Sequence, residues 1–173
     1  MLTLTLFRHA KSSWDFPELD DFDRPLSKRG ERAAPKMADC LARHDLVPDM
    51  VMCSASRRTR DTTRLLLFRW QIQPRIVYCQ ALYHATVQEH LGLVREAPDE
   101  VRHLMLVGHN PGLETFALEL IGSGEARQWA ALGGKFPTAA FAVIRLDAER
   151  WTQTRYGTGQ LIMFTTPKLV EAT

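Results

Sequence analysis

Short apolar runs alternate with longer amphipathic stretches through the first two-thirds of this 173-residue chain. The apolar runs cover residues 2–7, 50–53, 76–78 and 104–107, and their length predicts strands. Between them, hydrophobic residues recur at helical spacing. Strands that alternate with helices predict parallel pairing, because a parallel neighbour is reached only through a crossover connection.

Helix-start signals support this alternation. Ser27 precedes the first amphipathic stretch, and Ser54 or Ser56 precedes the second. Residues 86–89 form a capping-box pattern that opens a third helix, and a fourth is predicted over residues 113–121. The predicted fold class is α/β, a three-layer α/β/α sandwich with a mainly parallel mixed sheet.

The last third of the chain is less regular. Residues 122–137 are predicted to form a glycine-containing loop, and residues 139–146 and 160–165 two late strands that add mixed pairing at an edge. We expect a turn and another strand around Trp151. No Pro/Ser-rich linker or repeat divides the chain, so residues 1–173 are predicted to form a single domain.

Composition excludes several classes of protein. Hydrophobic residues make up 45% and charged residues 24%, which excludes a disordered chain. The three cysteines lack CxxC spacing, which disfavours a disulfide scaffold or a zinc knuckle, and Cys53 is interpreted as a buried core thiol. The absence of a secretory or membrane-spanning apolar run predicts a cytoplasmic protein.

The net charge of +2 conceals an uneven distribution. Residues 1–75 carry 14 Lys and Arg against 10 Asp and Glu, and five of these arginines lie between Arg57 and Arg69. Two interpretations remain open, a solvated helix face or a local anion site. A nucleic-acid-binding helix is disfavoured, because the same stretch contains the apolar residues 65–68.

Polar residues follow three of the four predicted strands. Arg8 and His9 follow the first strand, Arg58 lies shortly after the second, and His109 follows the fourth. Parallel strands bring their carboxyl ends to one edge, where α/β proteins bind ligands. Arginine pairs with phosphate oxygens, and histidine supplies a nucleophilic nitrogen. The chain lacks Walker A, HExxH and GxGxxG motifs, so these residues favour phosphoryl transfer without a nucleotide cofactor.

These residues resemble the motifs of a known family. Arg8-His9 is similar to the Arg-His-Gly signature of the histidine phosphatase (phosphoglycerate mutase-like) superfamily, and residues 54–62 resemble its second motif. Residues 107–110 resemble the third motif, and residues 26–30 match the family's Leu-Thr/Ser-x-x-Gly helix start. The short chain and the Arg-His-Ala-Lys-Ser sequence most resemble the SixA-type phosphohistidine phosphatase branch.

The resemblance implies a two-step transfer without metal or cofactor. His9 is expected to attack phosphorus, and Arg8, Arg58 and His109 to contact the phosphoryl oxygens. Water would then hydrolyse phospho-His9. The residues expected to add substrate contacts are Lys11, Ser12, Asn110 and Thr138.

One departure from the family bears on the substrate. Larger members carry a Glu that protonates an oxygen leaving group, and the candidates here are Glu89 and Glu96. Glu89 is better explained by the capping box. The lack of a clear proton donor favours phosphohistidine of a protein as the substrate. We expect no nucleic-acid or membrane partner. The alternatives are a small-molecule phosphomonoesterase or mutase and a non-catalytic phosphate-binding module.

Overall fold

Seven strands form one mixed sheet in the computed structural model, which describes residues 1–172. In chain order they are β1 (Leu2–Arg8), β2 (Met50–Ser54), β3 (Arg75–Cys79), β4 (His103–Gly108), β5 (Ile121–Gly124), β6 (Phe141–Leu146) and β7 (Gly159–Thr165). Their order across the sheet is β3-β2-β4-β1-β6-β7-β5. The first four strands pair in parallel, β3 with β2, β2 with β4, and β4 with β1. In contrast, β6 is antiparallel to both β1 and β7. The predicted α/β fold with a mainly parallel mixed sheet is confirmed.

Six helices connect and cover these strands. They are α1 (Lys28–Arg43), α2 (Arg57–Arg69), α3 (Val87–Arg95), α4 (Gly112–Leu120), α5 (Ala126–Gly134) and α6 (Pro167–Glu171). The hydroxyl of Ser27 accepts from the Gly30 amide and caps α1. Thr86 and Glu89 form the predicted capping box at the start of α3. None of the helices in residues 1–172 is long and apolar enough to span a membrane.

Each face of the sheet packs against its own set of helices. Leu4 and Leu6 of β1 lie in one hydrophobic core with Phe116 of α4. Phe7 points to the opposite face and lies in a second core with Met37 of α1. The two cores follow from the alternation of side chains along a strand, and they produce the predicted three layers.

The structure corrects two predictions in the last third of the chain. The predicted loop over residues 122–137 contains most of β5 and all of α5. Trp151 begins a short 3-10 helix rather than a strand, and its ring is fully buried with Nε1 donating to the Val101 carbonyl at 2.8 Å. Both elements depend on tertiary contacts, since Leu132 of α5 is also fully buried.

Gly30 allows α1 to begin against the backbone of the loop that follows β1. A Cβ atom at Gly30 would lie 2.2 Å from the Lys11 carbonyl oxygen, a backbone atom that cannot rotate away. The amide of Ser27 donates to the same oxygen at 2.8 Å. The helix start and the loop therefore hold each other in place.

We expect Gly30→Ala to lower the free energy of unfolding by about 1–3 kcal/mol, because backbone must move to admit the methyl group. Gly92→Ala is the matched control, since nothing lies within 4 Å of its Cβ position in α3. That change should raise stability by about 0.4–1 kcal/mol. Urea unfolding measures both. Equal stability of Gly30→Ala and the unsubstituted protein would contradict the close contact.

Candidate active site

Three neighbouring parallel strands bring the predicted residues together. β4 lies between β2 and β1 in the sheet, so their carboxyl ends are adjacent. His109 follows the middle strand, with Arg8 and His9 on one side and Ser54 and Arg58 on the other. The ring centroids of His9 and His109 are 5.2 Å apart. The structure thus assembles the two histidines and their arginine neighbours at one edge.

His9 is held as a neutral imidazole. It is buried, and its Nδ1 lies 2.7 Å from the Ala10 carbonyl oxygen. A carbonyl only accepts hydrogen bonds, so Nδ1 carries the proton and the lone pair is on Nε2. Burial, and secondarily the charges of Arg58 and Arg8, lower the pKa of His9 to about 3. His9 therefore has the protonation state that a nucleophile needs.

His109 is held by contacts at both ring nitrogens. Its Nε2 lies 2.8 Å from Ser54 Oγ, and its Nδ1 lies 3.3 Å from Arg58 Nη2. Because arginine only donates, Nδ1 accepts and Nε2 carries the proton toward Ser54. Burial, and secondarily the charge of Arg58, lowers the pKa of His109 to about 2. The second histidine is thus also neutral in this arrangement.

Arg8 and Arg58 supply the positive charge of the site. Arg8 Nη1 donates to the Phe136 carbonyl at 2.8 Å, and Arg58 Nη1 donates to the Asp21 carbonyl at 2.6 Å. The Nε atoms of both arginines are buried with no hydrogen-bond partner in residues 1–172. Such donors are costly to bury unless an acceptor meets them, so the pair suits an oxyanion such as a phosphoryl group.

Asp21 is a site residue that sequence reasoning missed. Its carboxylate accepts from Arg58 Nη2 at 3.0 Å, from Tyr83 Oη at 2.6 Å and from Arg24. Partial burial alone would raise the pKa of Asp21, but the hydrogen bonds from Tyr83 and the arginines hold it below its usual value. The available signal was its place in the acidic stretch of residues 15–23. Asp21 orients Arg58 toward His109.

Thr62 joins the nucleophile loop to α2. Its Oγ1 accepts from the Ala10 amide at 3.0 Å and donates to the Arg58 carbonyl at 2.7 Å. Since Ala10 also holds the ring of His9, one threonine couples His9 to the helix that carries Arg58. Its place within the second motif was the available signal.

Asn110 is next to the histidines but is already hydrogen-bonded on its amide nitrogen. Nδ2 donates to Glu114 Oε2 at 2.7 Å and to the Phe136 carbonyl at 3.1 Å. The same carbonyl accepts from Arg8, so Asn110 and Arg8 share an anchor. The Oδ1 atom of Asn110 is buried without a partner in residues 1–172.

The other three predicted substrate contacts lie around the loop after β1. The Ser12 hydroxyl is buried and accepts from Arg24 Nη1 at 2.9 Å. Lys11 and Thr138 line a cavity beside that loop. Within residues 1–172, none of these three side chains forms a hydrogen bond with the ring of His9, so their substrate contacts stay predictions.

The arginine-rich helix divides between the two interpretations left open above. Arg58 is buried in the site, whereas the other arginines of α2 are exposed. Arg69 forms a bidentate pair with Asp39, and Arg64 lies 3.4 Å from Asp61. Most of this helix face is therefore solvated.

Cys53 lies beneath the site as the predicted core thiol. It is fully buried in β2, and burial raises its pKa to about 12. A thiol in this environment is not a nucleophile. Among residues 1–172, no cluster of three or more His, Cys, Asp or Glu side chains could hold a metal ion.

Comparison with known proteins places this geometry in a family. Residues 4–82 match the model of the histidine phosphatase superfamily (branch 1). The matched range contains Arg8, His9 and Arg58. An uncharacterized protein of Mycobacterium leprae is 33% identical over 165 residues, which cover 93% of this chain and 99% of that protein. A candidate phosphohistidine phosphatase SixA from Agrobacterium tumefaciens is 34% identical, with a TM-score of 0.81 over 96% of this chain and 98% of its own.

The chain belongs to the histidine phosphatase superfamily. A protein histidine phosphatase SixA in complex with tungstate shares the fold, with a TM-score of 0.78 at 19% identity over 98% of this chain and 99% of its own. Membership in the histidine phosphatase superfamily confirms the predicted resemblance and implies an enzyme that acts on phosphorylated substrates.

The protonation state of His9 can be measured directly. We expect His9 to stay neutral and Nδ1-protonated from about pH 5 to about pH 8, since its lowered pKa keeps the charged form unpopulated there. Long-range ¹H–¹⁵N spectra of ¹⁵N-histidine-labelled protein report both ring nitrogens. The urea-unfolded chain, whose histidines titrate near about pH 6.5, is the control. A His9 titration with that midpoint in the folded protein would contradict the assignment.

Proposed function

We propose that this protein is a phosphohistidine phosphatase that works through a phospho-His9 intermediate. One observation carries the proposal. A neutral histidine with its lone pair on Nε2 lies beside two arginines whose buried Nε donors have no protein acceptor. A phosphoryl group supplies the acceptors for these donors and the electrophile for this nucleophile.

In the first step, His9 Nε2 attacks phosphorus and the bond from phosphorus to the leaving group breaks. Arg8 and Arg58 stabilise the charge on the phosphoryl oxygens through donors that are already in place. Asp21 keeps Arg58 in position through two hydrogen bonds. A phosphoryl oxygen would compete with His109 Nδ1 for the hydrogen bond from Arg58 Nη2. Substrate binding would thereby shift this donor from His109 to the phosphoryl group.

The leaving group is where the site favours a P–N bond. Of the two candidate acids, Glu96 is exposed at the C-terminal end of α3. Glu89 is exposed and bound to Thr86, and the Thr86 backbone hydrogen bond lowers the pKa of Glu89. Asp21 is held ionised, and Glu114 accepts from Asn110. None of these carboxylates is arranged to protonate an alkoxide.

A phosphohistidine substrate needs no such acid. When its other ring nitrogen carries a proton, the imidazole departs as a neutral molecule. In the second step water attacks phospho-His9, the P–Nε2 bond breaks, and the products are dihydrogen phosphate and neutral His9. Atoms and charge balance in both steps without an external proton donor.

Phosphoryl transfer from a phosphohistidine peptide tests the proposal. We expect rapid-quench labelling to trap an acid-labile phosphoenzyme that is absent from His9→Ala, because His9 supplies the Nε2 lone pair that attacks phosphorus. His44→Ala is the matched control, since His44 is exposed at the end of α1.

A substrate panel separates the alternatives in the same assay. We expect the phosphohistidine peptide to be preferred over phosphoserine peptide, phosphosugars and nucleotides. A preference for a sugar phosphate by orders of magnitude would instead indicate a small-molecule phosphomonoesterase or mutase. Phosphate binding without any phosphoenzyme would indicate a non-catalytic module.

Arg58→Ala should lower kcat by about 10²–10³-fold, as expected for the loss of one donor to a developing oxyanion. Arg64→Ala is the control on the same helix, because its side chain is 77% exposed and lies 3.4 Å from Asp61 rather than in the site. The initial rate of phosphohistidine-peptide hydrolysis measures both. An Arg58→Ala effect confined to KM would assign Arg58 to binding alone.

A further inference from the structure

A cavity of about 410 Å³ lies beside the loop that carries the nucleophile. Four basic residues line it, and among residues 1–172 no aspartate or glutamate does. We call this cavity the basic groove, after Lys11, Arg29, Lys135 and Lys168. Lys11 follows β1, Arg29 is in the first turn of α1, Lys135 follows α5 and Lys168 is in α6.

The cations of the basic groove form no salt bridges with the described part of the protein. Some other surface cations form close pairs, such as Arg69 with Asp39 at 2.8 Å and Lys36 with Glu171 at 2.7 Å. Within residues 1–172, no cation of the groove has a carboxylate oxygen within 4.0 Å. The carboxylate of Glu171 is bound by Lys36, which is the main cause of its lowered pKa. The charge of Arg29 lowers the pKa of Glu171 further, without a close contact. Gathered like charges repel, and an anionic ligand relieves that repulsion.

The basic groove is joined to the catalytic loop through backbone contacts. Thr138 lines the groove and precedes Ala139, whose amide donates to the carbonyls of Arg8 and His9 at 3.1 and 3.0 Å. Lys11 lies two residues after His9 and also lines the groove. Two residues span at most about 7 Å, so the groove begins within reach of a peptide whose phosphoryl group meets His9.

The walls of the basic groove favour a peptide over a nucleic acid. Between the cations lie small apolar residues, including Ala33, Ala131 and Pro137. Among residues 1–172, no aromatic side chain on which a base could stack lines the groove. We propose that the basic groove binds an acidic segment, rich in aspartate and glutamate, of the protein that carries the phosphohistidine. This inference rests on the proposed function and adds the charge of the substrate.

Two phosphohistidine peptides test the proposal. One has Asp and Glu beside the phosphohistidine, the other has Ser and Gln at the same positions, and they are otherwise identical. We expect kcat/KM at low salt to be about tenfold higher for the acidic peptide, and this ratio to fall as NaCl screens the charges. The charge-reversal variant Lys135→Glu/Lys168→Glu should bring the ratio close to one.

Arg75→Glu/Arg155→Glu is the matched control, with the same change in net charge. Both residues are exposed at the opposite edge of the sheet, where β3 begins and before β7 begins. The control should keep the ratio of the unsubstituted protein. A loss of the ratio in both variants would indicate an effect of net charge and overturn the groove as the docking site.

The outcomes separate the two proposals. Equal hydrolysis of both peptides overturns the groove proposal and leaves the phosphohistidine activity standing. Hydrolysis of p-nitrophenyl phosphate but of neither peptide overturns the phosphohistidine function, and the groove proposal falls with it. Polyglutamate should compete with the acidic peptide, and stronger competition by oligothymidylate at equal charge would favour nucleic acid and overturn the acidic segment.

Discussion

Burial of two imidazoles against two guanidinium groups is the interaction around which the site is built. Desolvation and the neighbouring arginines lower the pKa of both histidines, so the arginines keep their charge while His9 keeps its lone pair. In water, each histidine would be partly protonated near neutral pH. The sheet therefore has to hold four basic side chains out of solvent, and the surrounding contacts serve that purpose.

Those contacts come from three parts of the chain. Asp21 places a carboxylate on Arg58 and takes further hydrogen bonds from Tyr83. Thr62 ties the backbone at Ala10 to α2, and the Phe136 carbonyl accepts from Arg8. None of these groups is a nucleophile or a proton donor in the proposed reaction. They maintain the orientation of the catalytic groups, and Asp21 offsets part of their positive charge.

Local patterns predicted most of the first four strands and helices. The alternation of Leu4 and Leu6 with Thr5, and the capping residue Ser27, are short-range signals that the tertiary structure reinforces. α5 had no such signal, because its glycines and weak periodicity resemble those of a loop. Its helical state depends on Leu132 entering the core. The strand predicted around Trp151 is wrong because the contact that fixes its position is not local. The indole of Trp151 donates to the carbonyl of Val101, which is distant in the sequence.

By itself, the sequence determined the fold class, the family and the four residues at the strand ends. These follow from periodicity and from motifs in which Arg8, His9, Arg58 and His109 are near-neighbours of predicted strands. Only the tertiary structure decided which ring nitrogen carries each proton, that Asp21 holds Arg58, and that four separate cations line one groove. Those properties depend on desolvation and on contacts between residues far apart in the chain, which no local pattern encodes.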